Sequence, residues 1–300
     1  MIAKNFIIPF FVSLIGFVLL VSMDSVIKIL GDSYSVLQLL FLNALFSLIP
    51  LSYFVIKNHG FKFYKNQNYT FQITRGIVHT VGFLFVLKGV LLLPLSIVYP
   101  VLFTSPLMLL VMSHFFLSDN INLVRVMAIL IGFLGVVISA EPLGSSGLSF
   151  QGVLFVFIGA FCIAITHLIT RKYNHLTSSY SAAFFSMAVS AIIFYFSTKF
   201  HFEIMTLHDL FLSLLGGVFA GLGVSAIIYG SRTLPSSVFG LTSYFQIIYG
   251  VFLGWIIFSQ LPSIYNYIGI IIVIFAGLLL FYFDKSKKIS PVYLKIFFSV

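Results

Sequence analysis

The chain alternates apolar blocks of about twenty residues with short polar breaks. The blocks lie near 8 to 30, 33 to 56, 72 to 92, 95 to 117 and 122 to 140, and again near 151 to 170, 179 to 198, 209 to 231, 237 to 258 and 264 to 283. About twenty apolar residues in a helix cross the hydrocarbon layer of a bilayer while every backbone polar group is satisfied within the helix. The pattern therefore predicts an all-α integral membrane protein with ten transmembrane helices. The longest polar stretch, residues 57 to 69, is too short for a domain, and Gly31-Asp32 and Leu93-Pro94 read as tight turns. The run from Phe6 to Val21 is kept as the first span rather than a signal peptide. No small-residue cleavage site follows it, and Asp24 and Lys28 interrupt its end.

The blocks repeat. The segment from Arg75-Gly76 to Pro94 lies on Gly216-Gly217 to Pro235 with a constant offset, matching Gly89 to Gly230 and Leu93-Pro94 to Leu234-Pro235. The same offset carries Asp119 onto Gln260, and with a small slip Gly16 falls on Gly159, Asp24 on His167 and Lys28 on Arg171. A unit of five spans is odd, so its second copy enters the membrane in the opposite direction. Two inverted five-helix repeats are thus expected, over 6–140 and 148–283, followed by a cytoplasmic tail at 284–300. Inverted repeats are a common construction of secondary transporters, which bind their cargo between the two halves.

Composition sharpens the picture. Hydrophobic residues make up 60% of the 300 and charged residues only 8%, far below the roughly 25% charged of a soluble domain. The net charge of +9 is not a nucleic-acid signature, because the basic residues sit singly between apolar blocks. With the N-terminus inside, only Lys28, Lys88 and Lys199 of the 16 Lys and Arg fall outside, which places both termini in the cytoplasm of a bacterial inner membrane. A single cysteine, Cys162, provides neither a disulfide framework nor a thiolate cluster. No glycine loop for nucleotide phosphates, no metal-ligand spacing and no nucleophile elbow occurs, so no cofactor is expected and ATP is not the direct energy source.

Arg75-Gly76, the run from Leu93-Pro94 to Ser105-Pro106, and Phe115-Phe116-Leu117-Ser118-Asp119 together resemble the drug/metabolite transporter superfamily. So do Ile131-Gly132-Phe133-Leu134-Gly135-Val136-Val137 and Glu141-Pro142. The resemblance is to its ten-helix members built of two EamA-type repeats and covers almost the whole chain. One departure is that the acidic end of the fourth span, Asp119, has Gln260 as its counterpart. Within the superfamily, Asp24 to Lys28 with Leu30-Gly31, and Arg75-Gly76, also look like members that take up S-adenosylmethionine. The resemblance implies a central cavity lined by spans 1, 3, 4, 6, 8 and 9, and it places Tyr99, Phe103, Tyr229, Tyr244 and Trp255 around that cavity, where rings stack on a cargo ring or cation.

Ionisable residues inside the bilayer are functional candidates because burying them costs about 2.5 to 3.5 kcal/mol or more. His79 lies nearest a midplane. It serves either to exchange a proton or hold a polar cargo, or only to hydrogen-bond a neighbouring helix. Arg75, four positions earlier, shares its helix face and is read either as a cavity cation suited to a carboxylate or phosphate or as an interfacial anchor. Lys88 stands on the outer half of the same span as an entrance charge. Asp24 and Lys28 have the spacing of an intrahelical ion pair, and with His167 they are read either as cavity groups or as structural ones. Pro106 is expected to free a carbonyl and kink the fourth span, while Gly216, Gly217, Gly221 and Gly223 allow close helix approach in the eighth.

These observations predict a secondary transporter working by alternating access, with an amino acid or related polar metabolite as cargo and a proton or counter-substrate as coupling partner. The second reading within transport is an uptake carrier for a cofactor such as S-adenosylmethionine or riboflavin. A membrane enzyme acting on lipid, a scaffold and a channel are the readings from other classes. The scattered single acids disfavour the enzyme, and the buried His79, Asp24 and His167 disfavour the scaffold.

Overall fold

The structure is a computed structural model that describes residues 4–60, 63–65, 68–117, 123–139, 149–173, 178–199, 201–234, 242–243 and 245–283. Eleven helices are named among them: α1 Lys4–Leu30, α2 Val36–His59, α3 Tyr69–Leu92, α4 Leu95–Leu102, α5 Thr104–Leu117, α6 Leu123–Ser139, α7 Phe150–Lys172, α8 Ser179–Ser197, α9 Leu207–Thr233, α10 Phe245–Phe258 and α11 Ile264–Phe283. Five of them start on a capping side chain: Ser35, Asn68, Ser149, Ser178 and Thr206 each accept a bond from a first-turn backbone N–H, satisfying a donor that the helix leaves orphaned. Among the described residues, seven stretches are long and apolar enough to cross a membrane, α4 and α5 forming one of them. Val126–Ser139, Phe245–Phe258 and Ile264–Leu279 are shorter apolar helices. This gives the ten expected crossings.

The fourth crossing is broken, and not where its central proline stands. The helix turns at Phe103, so that α4 ends at Leu102 and α5 begins at Thr104. In an unbroken helix a proline at 106 would strike the carbonyl of Leu102, four residues earlier, and the break falls at that carbonyl. The Thr104 hydroxyl donates to the Val101 carbonyl over 2.7 Å and the Phe103 amide to the Tyr99 carbonyl over 3.0 Å, so the turn stays hydrogen-bonded.

Every major contact joins one half of the chain to the other: α1 packs on α9, α3 on α7, α2 on α8 and α9, and α6 on α11. Several of the close approaches are glycine against glycine. A Cβ on Gly16 would sit 3.0 Å from the Gly223 carbonyl oxygen, and one on Gly159 3.1 Å from the Gly82 carbonyl oxygen. Gly16 and Gly159 are repeat partners, as are Gly82 and Gly223, so the α1–α9 and α3–α7 crossings are one contact occurring twice in opposite directions. Such small-residue crossings let helix backbones touch where lipid supplies no hydrophobic drive for association. A third crossing, Gly135 with Gly269, joins α6 to α11. The outward stripe of α6, including Val126, Leu130, Phe133, Leu134 and Val137, is exposed, as a lipid-facing surface requires.

At one end of the bundle, residues 201–206 are pinned by a reciprocal pair of 2.9 Å bonds between the Gln38 side-chain amide and the Glu203 backbone. Beside them the Tyr34 hydroxyl donates to Asp209 over 2.7 Å, and this bond raises the Tyr34 phenol above its usual pKa.

Candidate functional site

The polar residues inside the bundle fall into two groups at different levels. The first is centred on Asp24. Its carboxylate accepts from the Tyr99 hydroxyl over 2.8 Å, joining α1 to α4, and both residues are buried, Asp24 to 7% exposure and Tyr99 to 1%. The Tyr99 ring lies against Gly250 of α10, where any Cβ would overlap it. Ser22, half a turn before Asp24, lies 3.3 Å from the Tyr249 hydroxyl, and Tyr249 stacks between Phe245 and Phe252. The Asp24–Lys28 ion pair that the spacing permits does not form. Lys28 instead donates to the Leu93 carbonyl in the turn between α3 and α4, and its ammonium lies 5.3 Å from the centre of the Phe258 ring. That arrangement is better placed than the pair, because each ion gains a partner on another helix and ties α1, α4 and α10 together at the end where α1 finishes.

The second group lies between α3, α7 and α8. Arg75 does not reach for an interface: its Nε donates to the Thr170 hydroxyl over 2.7 Å, and its Nη1 donates to the Ala182 carbonyl over 2.7 Å and to the Ser186 hydroxyl. His79 Nδ1 lies 3.4 Å from the Ser190 hydroxyl, which is 2.8 Å from Thr80 Oγ1. His167 shares the helix stripe of Val156 and Ala160, both 0% exposed, yet it is itself exposed. His167 thus differs from Asp24, which is buried on α1.

The remaining expected site residues scatter. The Lys88 ammonium lies 5.6 Å from the centre of the Phe155 ring, and Phe103 is buried at the α4–α5 turn. Tyr229 is 38% exposed, and Trp255 is 55% exposed on the side of α10 turned away from the buried Gly250. Tyr244 lies outside the described residues. Sequence reading missed Ser186, Ser190, Thr170 and Tyr249. The four-residue spacing of Ser186 and Ser190 on an otherwise apolar span was the available signal, since it puts two hydroxyls on one helix face. Among the described residues no group of three or more His, Cys, Asp or Glu side chains is placed to hold a metal ion.

The second group has a repeat counterpart in the other half of the bundle that differs in chemistry. Positions 75, 79 and 80 of α3 correspond to Gly216, Ala220 and Gly221 of α9, and Ser186 and Ser190 of α8 correspond to Asn43 and Ser47 of α2. The packing agrees: Gly217 lies against Phe46 and Asn43, and Gly221 against Ser47 and Pro50, as Gly76 lies against Val189 and Thr80 against Ser190. Arg75 thus has no counterpart. At its place by Gly216, the Asn43 amide is buried with neither its nitrogen nor its oxygen hydrogen-bonded.

Tyr99→Phe keeps the ring on Gly250 and removes only the donor to Asp24. It is expected to lower stability by about 1 to 2 kcal/mol, read as a reduced thermal unfolding midpoint in detergent. An unchanged midpoint would show that the hydroxyl contributes nothing.

An inverted pair of five-helix units, interlocked by glycine crossings and carrying polar groups at two levels of its interior, is the architecture of a membrane carrier. The EamA-like transporter family profile matches residues 6–140 and again 150–283, and the chain belongs to that family, within the drug/metabolite transporter superfamily. Proteins named S-adenosylmethionine uptake transporter are similar to it along most of their length. One from Rickettsia bellii is 25% identical over 269 residues, covering 89% of this chain and 91% of the relative. One from Rickettsia felis is 26% identical, covering 88% of each. A solved crystal structure superposes with a TM-score of 0.66 over 89% of this chain and 95% of its own, at 15% identity, and so shares the fold.

Proposed function

We propose that this membrane transporter takes up S-adenosylmethionine or a closely related nucleoside-linked amino acid. The observation that carries this reading is the match, over nearly nine-tenths of the chain, to relatives named for S-adenosylmethionine uptake. It favours the cofactor reading over the free amino acid expected first from the sequence. The two readings share chemistry, because S-adenosylmethionine ends in an amino acid and presents an α-carboxylate, an α-ammonium and a sulfonium. The ring of Tyr249, stacked between Phe245 and Phe252 beside Ser22, suits the cationic portion. Both termini face the cytoplasm of a bacterial inner membrane, on the lysine and arginine bias. Arg75, His79, His167 and Asp24 contact or gate the cargo, with Lys28 closing one end.

Liposomes carrying the purified protein and loaded with unlabelled S-adenosylmethionine are expected to accumulate the labelled compound in a saturable counterflow. Riboflavin and single amino acids are expected not to compete. Counterflow of an amino acid without any of S-adenosylmethionine would return the assignment to an amino acid carrier. Flux that never saturates would indicate a channel.

A further inference from the structure

We propose that Arg75, with His79 and His167, forms the subsite that binds the cargo's carboxylate. The proposal rests on the carrier reading and adds to it which chemical group the second polar group of the bundle receives.

Arg75 is held by Thr170, Ala182 and Ser186, all neutral acceptors, and no ion pair or hydrogen bond remains to its Nη2 amino group among the described residues. With Nε and both Nη1 hydrogens engaged, the Nη2 amino group is the part of this guanidinium left to donate, and a charge-assisted N–H from it is a contact that a carboxylate oxygen accepts. The engaged edge also explains why the side chain does not extend to an interface: three bonds from α7 and α8 hold it inside. The His79 ring is oriented by Ser190 through Nδ1, its other nitrogen has no hydrogen bond among the described residues, and His167 makes no hydrogen bond to the described residues although it is exposed on an inward stripe. The three side chains therefore bring a permanent cation and two imidazoles to the junction of α3, α7 and α8, with no carboxylate hydrogen-bonded to them among the described residues.

The repeat supplies the second argument. If Arg75 were needed to close a three-helix junction, the same junction in the other half would need one. There α9, α1 and α2 close on Gly216, with a hypothetical Cβ 3.2 Å from Val26 and 3.9 Å from the Asn43 amide nitrogen. The scaffold packs without the arginine. A single cargo molecule has no two-fold axis, so the residues that read it must break the symmetry of the frame, and the Arg75 group is where the symmetry is broken by charge.

The test pairs each ligand with its decarboxylated form in transport by wild type, Arg75→Gln, Arg75→Lys and His167→Gln in liposomes. S-adenosylmethionine is expected to compete about ten- to a hundredfold better than decarboxylated S-adenosylmethionine in wild type, as a charge-assisted contact implies. That preference is expected to vanish in Arg75→Gln while the decarboxylated compound is still carried. Arg75→Lys should keep part of it, and His167→Gln, a change at an exposed side chain, should reduce it. An equal loss for both compounds in Arg75→Gln would mark the residue as a rivet between helices and overturn the subsite, as would equal competition by both compounds in wild type. If Arg75→Gln fails to fold, the wild-type and His167→Gln ligand pairs decide alone. If wild type carries no S-adenosylmethionine, the proposed cargo is wrong, and the subsite is judged from thermal stabilisation of the wild-type protein by methionine against 3-methylthiopropylamine. Equal stabilisation by these two would overturn it.

Discussion

Gly82→Leu is expected to prevent the two halves from closing on each other and to leave little folded protein. A Cβ at this position would stand 2.8 Å from the Cβ of Cys162 and 3.5 Å from the Gly159 carbonyl oxygen. Leucine adds three further carbons to a contact already too close for one. Overpacking a well-filled core costs about 1 to 3 kcal/mol. Here the opposing surface includes backbone that cannot rotate away, so the cost falls at or above the upper end of that range. The measurement is the fraction eluting as a monodisperse species from size exclusion in detergent, alongside Gly223→Leu, the repeat counterpart. Both are expected to fail in the same way, whereas Gly60→Ala, with no atom within 4 Å, serves as a control for insertion, its positive φ costing only local strain. Normal yield and transport from Gly82→Leu would mean that α3 and α7 do not cross where the structure places them.

Asp24→Ala is expected to lower the initial transport rate at least tenfold, with Asp24→Asn keeping it within about threefold, since a lost hydrogen bond to a buried donor costs about 1 to 3 kcal/mol and each 1.4 kcal/mol is a factor of ten. The alanine variant leaves the Tyr99 hydroxyl buried without the acceptor that now joins α4 to α1. Asparagine retains an oxygen at nearly the same place. The assay is counterflow in liposomes, normalised to folded protein. Equal loss in both variants would shift the role of Asp24 from hydrogen bonding to its negative charge, and equal activity of both with wild type would remove it from the transport cycle.

The number and order of crossings were legible because their cause is local: apolar length and tight turns are written residue by residue. The inverted repeat was legible for the same reason, as Gly89 and Gly230 or Leu93-Pro94 and Leu234-Pro235 match without any knowledge of contacts. Partnerships were not. Asp24 and Lys28 sit one helical turn apart, and spacing alone offered them to each other. Tyr99 and Leu93 draw them apart only after α4 folds back against α1. Arg75 was left between anchor and cavity because depth along one helix does not reveal that α8 offers the Ala182 carbonyl and Ser186 at its level. A kink in the fourth span was expected from Pro106, and the helix breaks at Phe103, three residues before it, next to the carbonyl that such a proline displaces.

The antiparallel interlock also sets a timetable for biosynthesis. Ser13 on α1 meets Thr242 across 229 residues of sequence, and at roughly 5 to 20 residues per second the ribosome supplies that partner about 10 to 50 s after it supplies Ser13. Until α9 emerges, the glycine face of α1 has only lipid against it, and Asp24 waits first for Tyr99, 75 residues on. The nascent amino-terminal half must therefore be sheltered beside the translocation machinery as an incomplete object. A ribosome that stalls between the two halves would leave it a substrate for membrane proteolysis.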